Sequence, residues 1–153
     1  MTVLIRESPR LLRADKRLVK RITEDLLTFL KLQDRDLSIL FVNNAGITSL
    51  NKEYFGRDRA TNVISFSYMD GLPSEVMGDI IISLERAREE ADRLAVPYHE
   101  RVFALIIHGL LHIMGFDHEQ GGNEARRMRY REKKLLGFIV SHPLYQQLVG
   151  SPD

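Results

Sequence analysis

Cysteine is absent from the chain. That removes a disulfide framework and any thiolate metal site, and it fits a reducing compartment. Long apolar runs are absent as well. None reaches the roughly 20 residues that a membrane span requires, so no membrane partner is expected. The apolar stretch from Thr2 to Ile5 is too short for a secretory signal, and a cytoplasmic location is the expectation. A large net charge is also missing: the formal value is +1, so bulk charge does not announce a nucleic-acid binder. No internal repeat, low-complexity tract or linker divides the chain. Its 153 residues suit one domain, 1–153, with a real core.

What charge there is comes in blocks. Arg6 to Arg21 holds seven basic and two acidic residues, and Arg126 to Lys134 holds six basic residues and one acid. Asp70 to Glu100 carries eight acids against three bases. The basic blocks are either a phosphate-binding stripe or two solvated helix faces.

The periodicity predicts a mixed α+β fold. Thr2 to Arg6 reads as a short strand. A long amphipathic helix follows, starting at Ser8-Pro9 or at Asp15, with Leu11, Leu18, Ile22, Leu26, Phe29 and Leu30 as its stripe. Asp36 to Asn43 reads as a central strand, apolar on both faces. Asn43 to Gly46 reads as a turn before a short helix, Ile47 to Phe55. Asn62 to Tyr68 alternates as a strand, with Ile64, Phe66 and Tyr68 inward. Val76 to Ser83 is a further strand, and Ser83 caps a helix with Leu84, Ala87, Ala91 and Leu94 on its stripe. Pro97 separates that helix from the next. A last helix starts at Asn123 and ends before Gly137, and the tail from Ser141 is expected to be ordered only in part. His99 and His142 read as surface residues. The architecture expected is a sheet of about four strands packed with helices, the strand order being illegible.

The stretch that carries chemistry is A-L-I-I-H-G-L-L-H-I-M-G-F-D-H, Ala104 to His118. Val102 to Met114 is apolar except for His108, Gly109 and His112, which predicts a helix buried in the core. His108 and His112, four apart, share one helix face. Gly115 lets the chain leave the helix in a left-handed conformation and return His118 toward that face. Three imidazoles at i, i+4 and i+10 suit zinc with one position left open, or another divalent transition metal. Buried imidazoles without partners would each cost about 1–3 kcal/mol, and a metal satisfies them. Gly109 costs about 1 kcal/mol in mid-helix and points to a close approach by a strand, a loop or a substrate. The spacing is zincin-like, matching H-E-x-x-H-x-x-G-x-x-H except that Gly109 stands where a zinc peptidase has its Glu base. A peptidase is therefore disfavoured.

The wording H-G-L-L-H-I-M-G-F-D-H resembles the signature of the YbeY family. The segment from Leu50 to Phe66 is similar to that family's second signature, L-N-x-x-Y-R-x-x-D-x-P-T-[DN]-V-L-S-F. Leu50, Asn51, Tyr54, Asp58, Thr61, Asn62, Val63, Ser65 and Phe66 match it, and Gly78-Asp79 is a third, weaker match. The resemblance covers about half the chain. It implies a metal-dependent endoribonuclease, specific for single strands, that acts on ribosomal RNA (small-subunit 3′-end maturation and ribosome quality control). The expected partners are RNA and the ribosome or its proteins, not DNA. It makes Asn62, Ser65 and the cations of the loop candidate walls of a substrate groove. Phe55 stands where the family has an Arg held to matter for catalysis. Ala60 and Ser67 replace family prolines.

On this reading His108, His112 and His118 hold the metal. Asp117 orients a ligand or serves as a base, the orienting role being preferred. Arg59, and next Arg57, meets the phosphate, because guanidinium pairs with it bidentately. The alternative is a ribosome-associated RNA-binding assembly factor with a structural metal. Three protein ligands argue against that, since structural zinc is normally closed by four.

Overall fold

Strand β2 (Asp36–Val42) sits inside the sheet, as its two apolar faces require. A computed structural model of the protein describes residues 3–7, 15–59, 61–69, 75–116 and 122–149. The other strands are β1 (Val3–Glu7), β3 (Val63–Ser67) and β4 (Val76–Ser83). They form one mixed sheet in the order β1-β2-β4-β3, with β1, β2 and β4 parallel and β3 antiparallel to β4. The helices are α1 (Lys16–Phe29), α2 (Asn44–Phe55), α3 (Leu84–Leu94), α4 (Tyr98–Ile113), α5 (Gly122–Val140) and α6 (Tyr145–Val149). The expected α+β architecture of about four strands is thus observed.

The alternation of β2 sorts the core into two layers. Leu37, Ile39 and Phe41 face the larger one, with Ile80 and Ile82 of β4 and the buried faces of α1, α3, α4 and α5. Val42 faces the other with Ile81, Ile64 and Ile47, under α2. Helix α4 is the centre of the larger layer and is buried on most of its circumference. At Gly109 a Cβ would lie 2.9 Å from Ile80 Cγ2, so the close approach expected there is made by strand β4. A side chain at 109 would therefore require Ile80 to shift. At Gly78 a Cβ would meet the Phe66 carbonyl oxygen at 2.5 Å and Ile113 at 2.6 Å. That glycine lets the C-terminal end of α4 settle on the β3–β4 pair.

Several helix ends follow from capping. Asp15 is the N-cap of α1, its carboxylate accepting from Leu18 N at 3.2 Å. The competing start at Ser8-Pro9, and Leu11, lie outside the described residues. Ser83 Oγ accepts from Arg86 N at 3.2 Å and caps α3. Helix α4 closes with Gly115 at φ +100, Gly115 N donating to His112 O at 3.0 Å and Phe116 N to Leu111 O at 2.9 Å. That is the Schellman pattern expected of a glycine at this position.

Other expectations are corrected. Asn43 to Gly46 is not a free turn: Asn43 Oδ1 accepts from Gly46 N at 2.8 Å, and residues 44–46 are the first turn of α2. Residues that suit turns also suit caps. In α1 the buried stripe is Val19, Ile22, Leu26 and Leu27, while Phe29 is half exposed and stacks on Phe138 of α5 at 4.7 Å. In α3 Glu90 is buried and Leu94 exposed. Tyr68 is exposed, just beyond β3, and donates its hydroxyl to Asp79. That bond, then partial burial, pushes its pKa up to about 12. Helix α5 runs through Gly137 to Val140, held by buried Ile139, and the tail adds α6, anchored by Tyr145 and Leu148.

Neither outlying histidine lies free on the surface. His99 is buried, its Nε2 accepting from Asp15 N at 3.4 Å. His142 Nε2 lies 2.7 Å from Asp25 Oδ2, and its Nδ1 accepts from Leu144 N at 3.0 Å.

Candidate metal centre and its cleft

His108 and His112 emerge from the one side of α4 that the sheet and neighbouring helices leave half open. Their Nε2 atoms stand 3.1 Å apart, with ring centroids at 4.6 Å. Two nitrogens bound tetrahedrally to one zinc at ~2.0–2.1 Å would be roughly 3.3 Å apart, so the pair fits a shared cation with little adjustment. Glu132 of α5 adds a constraint. Its Oε2 lies 3.0 Å from His108 Nδ1. A carboxylate there fixes Nδ1 as the protonated nitrogen and leaves the Nε2 lone pair facing His112. Asp117 and His118 lie outside the described residues.

The pair lies against a cleft of about 530 Å³. Phe55 of α2, Arg57 and Arg59 of the following loop, and Thr61, Val63 and Ser65 line it with the two histidines. Residues separated by about fifty positions in the chain therefore share one space. The loop is positioned by Asn51, one of the matched residues. Buried on α2, it donates from Nδ2 to Arg59 O at 3.0 Å, and its own carbonyl accepts from Arg57 N at 3.3 Å. Gly56, at φ +67, makes the left-handed exit that this closure needs. Phe55 stacks on Phe66 of β3 at 5.9 Å.

Ser65 lines the cleft as expected, while Asn62 turns its amide to Glu90, 3.3 Å from Oε2. Glu90 also accepts from Arg101 Nε at 2.9 Å. That pairing explains a buried acid on α3. Ser67 Oγ donates to Ile113 O at 2.9 Å and ties β3 to the end of α4. The residue that sequence reasoning misses is Glu132, whose one visible signal is that it is the lone acid in the basic block Arg126 to Lys134.

A Glu132→Gln protein keeps the shape of the contact and loses its charge. Its affinity for zinc is expected to fall about 10- to 100-fold, the usual effect of removing a partner that orients a ligating histidine. Competition with a chromophoric chelator measures it, and an unchanged affinity would remove Glu132 from the centre.

A partly open histidine pair on a core helix thus shares its cleft with two arginines, a grouping whose chemistry suits an anionic ligand. The comparisons with known proteins narrow that reading. The family model described as endoribonuclease YbeY matches residues 7–139. The endoribonuclease YbeY of Syntrophus aciditrophicus is 36% identical over 149 residues, covering 94% of this chain and 93% of that protein. Its counterpart from Carboxydothermus hydrogenoformans is 40% identical over 127 residues, covering 82% and 88%. The solution structure of TM1509 from Thermotoga maritima superposes with a TM-score of 0.69 at 22% identity, covering 99% of this chain and 97% of that one; it shows the likeness of fold. The chain belongs to the YbeY family of endoribonucleases.

Proposed function

We propose that this protein is a zinc-dependent endoribonuclease that cuts single-stranded RNA in the maturation of ribosomal RNA, at the small-subunit 3′ end, and in ribosome quality control. The observation that carries the reading is the convergence of His108 and His112 Nε2 to 3.1 Å beside a cleft lined by Arg57 and Arg59. His108, His112 and His118 hold the metal through neutral imidazoles, and another divalent transition metal would suit the same nitrogens. Bound there, zinc supplies Lewis-acid polarisation of the phosphodiester and lowers the pKa of water. Glu132 holds the His108 ring, and Asp117 orients a second ligand. Arg59, with Arg57 beside it, carries the charge of the reacting phosphate. Ribosomal RNA and ribosomal proteins are the partners, in the cytoplasm.

Peptidase chemistry, which the histidine spacing would allow, is disfavoured because Gly109 supplies no carboxylate base, and a Cβ at that position would already crowd Ile80 Cγ2 at 2.9 Å. The test is cleavage by the purified, zinc-loaded protein. Single-stranded RNA should be cut and casein left intact. Peptide hydrolysis lost with the metal, or inertness toward RNA at full zinc content, would overturn the reading.

A further inference from the structure

A second cleft opens beside the first, on the same helix. It lies between α4 and α5 and has a volume of about 310 Å³. Its apolar lining is Ala104, Ile107 and Leu136, and exposed Arg129 and Lys133 also line it. Arg101, Ala104, His108 and His112 recur along α4 at spacings of three and four, so they lie on one helix face. At 1.5 Å rise per residue, Ala104 is about 6 Å and Arg101 about 10 Å from His108 along the axis. The two clefts meet at Glu132, which lines the second and contacts His108 of the first.

The charges of the cleft sort themselves by pairing. Arg101 is neutralised by Glu90, its Nη2 and Nε each 2.9 Å from Oε1. Glu132 is turned to His108 Nδ1. Arg129 and Lys133 form no ion pair among the described residues, and with Glu132 bonded to a neutral His108 the lining keeps these two cations against one carboxylate, a net positive charge. Two cations over an apolar floor suit a phosphate with its sugar or base, and Glu132 links the cleft's lining to the histidine pair through its contact with His108. We infer that the α4–α5 cleft is a second RNA subsite: Arg129 and Lys133 hold a phosphate within a few nucleotides of the scissile bond, and Ala104, Ile107 and Leu136 take the attached nucleoside. The inference rests on the nuclease reading and adds the path of the strand. It makes the enzyme's affinity depend on RNA length.

The experiment compares single-stranded oligoribonucleotides of about three and about nine nucleotides as substrates for the zinc-loaded protein. The variants are Arg129→Gln/Lys133→Gln and, for the same charge change elsewhere, Arg17→Gln/Lys20→Gln on the exposed side of α1. The cleft double variant should raise KM for the longer RNA by about tenfold or more. It should leave kcat, zinc content and cleavage of the short RNA within about twofold of the parent. The salt dependence of binding to the longer RNA should become shallower by about 0.7 for each phosphate that is no longer neutralised. The α1 double variant should behave as the parent. Parental KM in the cleft variant, or an equal loss in both variants, overturns the subsite while leaving RNA cleavage intact. A parent that cuts neither RNA overturns the nuclease reading and the subsite together.

Discussion

A His108→Ala/His112→Ala protein is expected to purify without zinc and to lose RNA cleavage by roughly a thousandfold or more, over about 4 kcal/mol of transition-state stabilisation. The two Nε2 atoms are 3.1 Å apart, so truncating both removes two of the three proposed donors and leaves His118 alone. Both rings are partly exposed to solvent, on the side of α4 that lines the cleft. The helix should therefore survive their loss. Elemental analysis gives the metal content, and thermal melting separates metal loss from unfolding. Added zinc should raise the Tm of the metal-stripped parent, because a ligand bound only by the native state stabilises it by mass action, and should leave the double variant's Tm in place. Full zinc retention in the double variant would refute the assignment.

The features that sequence makes legible are those decided by neighbours along the chain. The α4 helix, its left-handed exit at Gly115 and the shared face of His108 and His112 depend on spacings of three, four and seven, and all three are observed. The two-faced burial of β2 is visible in its own seven residues. Gly109 announces a close approach, but its counterpart, Ile80, has no signal in the sequence, because that contact depends on how α4 crosses the sheet. Glu132 is hidden for the same reason. It reaches His108 across 24 positions, through the packing of α5 on α4. Glu90 and Leu94 show another limit. An amphipathic stripe assigns apolar residues to the interior, yet Glu90 is buried through its ion pair with Arg101 and Leu94 is exposed. His99 and His142 look isolated in sequence because their partners, Asp15 and Asp25, are 84 and 117 positions away. The order β1-β2-β4-β3 is of this kind too: each strand's pattern states its faces and says nothing of its neighbours.

Removing the guanidinium of Arg59 is expected to slow RNA cleavage about 10- to 150-fold, the equivalent of roughly 1.5–3 kcal/mol for a charge-assisted hydrogen bond to the reacting phosphate. Arg57→Ala should cost less. Both side chains line the cleft that holds the histidine pair. Buried Asn51 ties both backbones, Arg59 O at 3.0 Å and Arg57 N at 3.3 Å, so either cation loses little freedom when it meets the phosphate, and Arg59 is preferred because it lies nearer the matched Thr61-Asn62 segment. Phe55 lies in the same cleft, stacked on Phe66. A guanidinium can keep that stack, so Phe55→Arg should add a second cation to the site and restore part of the rate lost in an Arg59→Ala background. Single-turnover cleavage, with zinc content checked in each protein, separates these effects from metal loss. If Arg57→Ala and Arg59→Ala both match the parent within about twofold while Phe55→Arg gains nothing, the phosphate is met elsewhere. The basic block from Arg126 to Lys134 would then be the next place to look.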